Sequence, residues 1–211
     1  SAVSSPLPGW VEGVKVADAL IYAYAKGRVS IFPGEDSGVL DVIPVDLVAN
    51  SALMCSAQLF QKSTTYRIYQ CCSGRLNPIK LKQFIDYVQQ ASLQQYKELP
   101  KLFAGKPQDT FNVKSTLVQI DDYDFLKENK IYYLIPWIMQ DEYNYGSARV
   151  SNSFSIKNGL TFRDTKTSIK ETHNWWYSDN LTDERRAKFE QNVDSILVKE
   201  KEIIAAWKMK K

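Results

Sequence analysis

Leu40-Asp41-Val42-Ile43-Pro44-Val45-Asp46-Leu47-Val48 is the stretch on which the reading of this chain turns. A β-prone run meets a proline, which cannot donate to a ladder and so stops it. An aspartate follows where a helix cap is needed. The stretch therefore predicts a strand over Leu40–Pro44 and a helix capped by Asp46, running to about Lys62 with Leu47, Val48, Ala52 and Cys55 inward. Upstream, Val16, Ala17, Leu20, Ile21 and Tyr24 recur at helical spacing and predict a helix over Val14–Lys26, ended by Gly27. Val29–Phe32 reads as a strand closed by the Pro33-Gly34 turn, and residues 1–13 as a loop. Downstream, Tyr66–Cys71 is apolar on both faces and reads as a buried parallel strand. Asn77-Pro78 predicts a helix start, with Leu81, Phe84, Ile85 and Val88 inward as far as Leu99.

Beyond residue 100 the pattern changes. A strand is expected at Thr116–Ile120 and a short helix at Asp121–Asn129. Residues 131–163 read as loop-rich. Helices follow at Lys166–Tyr177 and Thr182–Lys211, the latter broken near Asn192. Strands alternating with helices predict an α/β chain with a helical C-terminus. The two characters divide it at 1–120 and 121–211.

Composition limits the function classes. With 27 Lys+Arg against 24 Asp+Glu, the charge of +3 is too small and too scattered for a phosphate-backbone binder, so no nucleic-acid partner is expected. Aromatics at 12% supply a core and argue against disorder. No window has the length of apolar sequence that a membrane span needs. The opening SAVSSPLPGW lacks the basic flank and apolar run of a secretory leader. Cys55, Cys71 and Cys72 form an odd set with two adjacent, which implies a reducing, cytoplasmic setting rather than a disulfide framework. A single histidine, His173, and no C-x-x-C pair leave no metal site to expect.

Few motifs carry chemistry. Tyr22 and Lys26 fit Tyr-x-x-x-Lys, in which a lysine on the same helix face lowers the phenol pKa for acid catalysis. No nucleotide-binding strand precedes them, so they read as a core tyrosine and a solvated lysine, and no catalytic residue is assigned. None of the nine glycines forms G-x-G-x-x-G, the bare backbone a pyrophosphate needs at a helix N-terminus. Trp175-Trp176-Tyr177 reads as one tryptophan inward and one at a rim. One of Cys71 and Cys72 is expected to approach a pocket, without a base to activate it. Asp121, Asp122 and Asp124 read as helix-capping residues, and the lysines from Lys199 to Lys211 as a solvated face.

Ser5-Pro6-Leu7-Pro8-Gly9-Trp10, the Lys26-Gly27 turn, the Ile43-Pro44-Val45-Asp46 segment and the Asn77-Pro78 helix start occur in an order and spacing that resemble bacterial alcohol-forming fatty acyl-CoA reductases over residues 1–100. From residue 124, Gly159-Leu160-Thr161-Phe162-Arg163 and the helix ending in Trp175-Trp176 resemble NAD-dependent epimerase/reductase proteins of the same extended short-chain dehydrogenase superfamily. The resemblance implies the C-terminal, substrate-binding part of a Rossmann-like enzyme, with the cofactor-binding half outside this chain. It implies NADPH as cofactor and a fatty acyl thioester, or another small molecule, as substrate. Ala2 and Val3 would then lie beside the cofactor, and Pro8, Gly9, Trp10, Leu20 and Tyr24 beside the substrate. A complementing N-terminal half or a homo-oligomer is the expected partner. Two other readings stand beside it: an epimerase/reductase for a sugar nucleotide or polyphenol, and a non-catalytic binding or scaffold module.

Overall fold

The computed structural model describes residues 3–14, 17–25, 29–36, 38–61, 68–75, 78–98, 117–131, 149–190 and 196–211. The order of elements is α1 (Ala17–Ala25), β1 (Ile31–Pro33), β2 (Val39–Leu40), α2 (Val45–Phe60), β3 (Ile79–Lys80), α3 (Leu81–Glu98), β4 (Val118–Ile120), α4 (Tyr123–Glu128), α5 (Ser153–Lys157), α6 (Thr165–Tyr177), α7 (Asp183–Glu190) and α8 (Ile196–Lys210). This is a mixed α/β arrangement. Among the described residues it has two small sheets: β1 pairs with β4 in parallel, Ile31 opposite Val118, and β2 pairs with β3 antiparallel, Val39 opposite Lys80.

Helices carry most of the core. The spacing of Leu81, Phe84, Ile85 and Val88 puts all four on one face of α3, and all are buried. That face packs on α1 and α6. α1 is buried nearly all round from Leu20 to Ala25. Its C-terminal carbonyl at Ala25 accepts the Ser92 hydroxyl at 3.1 Å and the Tyr177 hydroxyl at 3.4 Å, so a helix end inside the core keeps its acceptor satisfied. Ile203 and Trp207 of α8 close the same core from beyond β1. Glu200 of α8 accepts the N–H groups of Ser30 and Ile31. One core thus runs across the 120/121 division.

Several sequence expectations are corrected. The predicted strand at Leu40–Pro44 is confined to Val39–Leu40, and Asp41–Ile43 leaves it as irregular chain. α2 begins at Val45 with Pro44 at its N-cap position, so Asp46 sits inside the first turn and is not the cap. α2 turns inward only part of the expected face, with Leu47 and Cys55 half-buried. Ser51 is its buried residue, whereas Val48 is 45% exposed and Ala52 is exposed too. Ile68–Cys71 forms no strand, and Ile68 is 77% exposed. These residues are tied instead to α5, where Ser155 Oγ donates to the Gln70 carbonyl at 2.7 Å and Asn152 Nδ2 to the Cys72 carbonyl at 3.0 Å. α3 starts at Leu81, after Pro78 and Ile79–Lys80 have formed the short pairing with β2. At α4 the expectation held: Asp122 accepts the Phe125 N–H at 2.9 Å. Tyr66, Asn77, Thr116 and Asn192 lie outside the described residues.

Candidate functional site

The loop after β2 delivers Val42 and Ile43 to one wall of a cavity of about 490 Å³. β3 supplies Ile79, α3 supplies Gln83 and Tyr87, and the segment entering α6 supplies Phe162, Arg163, Asp164 and, as the first residue of α6, Thr165. Ser73 lies between this cavity and a second one of about 830 Å³, which takes in Gly74, Arg75, Asn152 and Leu160. Phe162 also borders both. Gly74 has φ +93°, and an added Cβ would stand 2.6 Å from the Asn152 side chain, so only glycine lets the loop close on α5.

Arg163 organises the first cavity. Its Nε donates to Ser168 Oγ at 3.0 Å, and its Nη1 lies 3.2 Å from Glu171 and 3.9 Å from Asp46. Asp46 in turn accepts the N–H of Ser4 at 2.7 Å and that of Leu47 at 3.0 Å. A guanidinium half shielded from water gains more from such partners than a surface pair does. Two polar atoms of residues lining the cavity, Arg163 Nη2 and Ser73 Oγ, are buried with no hydrogen-bond partner. Orphaned polar atoms are rare in folded proteins and mark places where something else completes the bonding. Both atoms lie under the cavity wall, without exposed surface of their own. The cavity lining carries a hydroxyl at Ser73, a phenol at Tyr87 and a carboxylate at Asp164.

The residues assigned to cofactor and substrate in the sequence do not line this cavity. Gly9 is buried against α6, with φ +80° and an added Cβ 1.9 Å from the Glu171 carbonyl oxygen. Its N–H donates to the Val3 carbonyl, and Val3 is itself buried. Pro8 is exposed and Trp10 half-buried, in a small cluster with Val11 and Trp175. Leu20 and Tyr24 are inside the main core, where the Tyr24 hydroxyl donates to the Ile31 carbonyl. Ala2 and Lys26 lie outside the described residues.

Tyr22 is 1% exposed and stacks on Trp176 with ring centroids 3.9 Å apart. Burial, reinforced by the Asp18 carboxylate, pushes its phenol far above the usual range, the opposite of what an acid catalyst needs. Both Trp175 and Trp176 are buried, so neither stands at a rim. Cys71 Sγ donates to the Leu47 carbonyl at 3.6 Å and Cys72 Sγ to the Val150 carbonyl at 3.4 Å. Burial raises both thiols, away from the thiolate form a nucleophile needs. Among the described residues no group of acidic, histidine or cysteine side chains is placed to hold a metal ion. No helix among them is long and apolar enough to cross a membrane.

Comparison with known proteins agrees with the resemblance carried by the first hundred residues. Residues 1–52 match the family described as Male sterility protein, an NAD-binding family. The chain is 41% identical over 86 residues to a probable fatty acyl-CoA reductase 4 of Arabidopsis thaliana, a match covering 41% of this chain and 17% of that protein. It is 34% identical over 87 residues to fatty acyl-CoA reductase 1 of the same plant, covering 41% of this chain and 18% of the relative. It is 35% identical over 82 residues to the alcohol-forming fatty acyl-CoA reductase of Simmondsia chinensis, covering 38% and 17%. The matched part thus spans about a sixth of the length of these relatives. These relatives are plant proteins, whereas the sequence was read against bacterial reductases. No solved structure matches the chain significantly.

Proposed function

We propose that this chain contributes the substrate-binding part of an NAD(P)H-dependent reductase of fatty acyl thioesters, and that the cofactor-binding half is not within it. The observation that carries the reading is the 41% identity over 86 residues to a fatty acyl-CoA reductase. In such a reaction hydride and a proton convert the thioester to an aldehyde and a free thiol, and a second hydride and proton give the alcohol. The acid for those steps is not Tyr22, whose place inside the core supports a purely structural role. The Pro8-Gly9-Trp10 loop is proposed as a wall near the acyl chain, where each methylene removed from water contributes about 0.8 kcal/mol. Val3 is retained as the position beside the cofactor of a completed enzyme, and NADPH as that cofactor.

Titration calorimetry with octanoyl-CoA, alongside nicotinamide fluorescence with NADPH, tests the reading. Binding of octanoyl-CoA without NADPH binding or oxidation is the expected result. Micromolar NADPH affinity with turnover would place the cofactor half within the chain. Absence of acyl-CoA binding would remove the thioester reading.

A second reading is an epimerase/reductase acting on a sugar nucleotide or polyphenol. The polar lining of the first cavity, with Ser73, Gln83, Arg163 and Thr165, favours it. A uridine diphosphate sugar that displaces octanoyl-CoA would decide for it.

A further inference from the structure

We propose that the outward face of α2 forms a two-fold contact with a second copy of this chain, the two α2 helices lying antiparallel across Ala52. Val45, Ala49, Ala52, Ser56 and Leu59 follow one another at steps of four and three residues, which keeps them on one stripe of the helix, and all five are exposed. Val48, Leu53 and Phe60 flank the stripe and are exposed as well. The inward side is poorer in apolar groups. Ser51 is buried there, and Gln58 accepts the Tyr69 hydroxyl. A helix on a globular chain ordinarily turns its apolar side to the core. α2 turns it out.

Charge points to a second copy as the cover. From Leu47 to Gln61 there is no charged residue, and the Ser56 hydroxyl donates to the Ala52 carbonyl at 2.9 Å within the helix. The stripe therefore offers nothing for an ionic partner to complement. A lipid surface calls for Lys or Arg beside the apolar face, and α2 has neither. A second copy brings an equally neutral surface, so nothing repels.

Shape agrees. Ala49, Ala52 and Ser56 keep the middle of the stripe shallow, and Val45 and Leu59 stand at its ends. Reversal about Ala52 sets Val45 against the partner's Leu59 and Ala49 against the partner's Ser56. Small residues at the crossing let the helix axes approach, and the large ones close over the ends. Such a contact uses the same patch on both copies and stops at two.

Area sets its strength. Val45 and Val48 are 41% and 45% exposed, Leu53 and Leu59 69% and 62%, and Phe60 90%. At about 150 Å² for a whole side chain, these five leave roughly 450 Å² open. With the alanines, two copies bury about 1,000 Å² in all, the low end of specific interfaces. The contact is therefore reversible, and denaturant melts of dilute protein read single copies. It requires nothing of the thioester reading above.

Sedimentation velocity of the full chain between about 1 and 300 μM, the range of a weak interface, is the test. The mass is expected to rise from 24.2 kDa toward twice that value and to stop there. A two-fold contact contains each side chain twice, so Leu53→Gln should weaken association at least about ten-fold. Ala52→Glu puts two carboxylates together at the axis and should abolish it, as should Ala52→Lys with two ammonium groups. An equimolar mixture of those two variants should pair again, because opposite charges then meet across the axis. If circular dichroism shows either charged variant unfolded, Leu53→Gln decides. A chain monomeric at every concentration, a dimer undiminished by Leu53→Gln, no pairing in the mixture of folded variants, or growth beyond two copies would overturn the proposal. So would a monomer that floats with phosphatidylcholine vesicles, which would give the face to a lipid surface.

Discussion

His173 shows how a single side chain can set the response to acid. It is 1% exposed, with Nε2 2.8 Å from Ser92 Oγ. The same hydroxyl lies 3.1 Å from the Ala25 carbonyl, so Ser92 joins the ring to the end of α1. Burial lowers the ring's pKa from 6.5 to about 4. The unfolded chain therefore binds the proton first as pH falls. The stabilisation is complete above pH 6.5 and is lost between 6.5 and about 4. His173→Gln removes this titration. Urea melts at pH 7 and pH 4 should show wild type losing about 3 kcal/mol more than the variant, and parallel losses would refute the buried neutral ring. Gly9 makes a second residue-scale test. Its positive φ and the 1.9 Å approach to the Glu171 carbonyl leave no room for a methyl group. Gly9→Ala should cost about 2–4 kcal/mol, read as a lowered melting temperature together with faster proteolysis within residues 3–10. Neither group could be located from sequence. His173 looked like any lone histidine, and the αL position of Gly9 looked like a surface turn. Arg163 was noticed for its family-like surroundings, not for chemistry, because its partner Asp46 lies 117 positions away.

At the scale of elements, legibility followed the sharpness of the apolar stripe. α3 alternates Leu81, Phe84, Ile85 and Val88 with polar residues, and its inward face was read correctly. α2 has no such contrast. Between Leu47 and Gln61 it carries no charged residue, so sequence offers two stripes and does not rank them. The structure buries Ser51 and leaves Leu53, Leu59 and Phe60 69%, 62% and 90% exposed. Leu53→Gln and Phe60→Gln should therefore change stability by no more than about 0.5 kcal/mol. A denaturation midpoint shifted well beyond that would mean that this face is covered. Asp46 tests the revised start of α2. It is not a cap but a double acceptor for Ser4 and Leu47, so Asp46→Ala should cost about 1–3 kcal/mol. Asp46→Asn, which keeps one carbonyl oxygen, should recover part of this. Equal melts for wild type and Asp46→Ala would remove that role.

On the scale of the whole molecule, class was legible and architecture was not. Alternating β-prone and helical segments gave α/β, and the parallel pairing of β1 with β4 agrees with it. Propensity could not tell that Ile68–Cys71 would be taken by hydrogen bonds to α5 rather than by a strand neighbour. The candidate cavity, built from residues near 42, 73, 83 and 163, has no local signature at all. Its lining meets only through tertiary packing.

The seat of Gly9 on α6 has a consequence in time. The backbone that receives it, at Glu171 and Thr172, is made 162 residues after it. At about 5–20 residues per second, a ribosome leaves the loop without its binding surface for roughly 8–30 s. During synthesis Ser4 can meet Asp46 early, but its contact with Glu171, 167 positions on, must wait. The opening segment of the chain is thus among the last to be locked. A stalled or truncated product ending before α6 would present it to proteases as a ready point of attack.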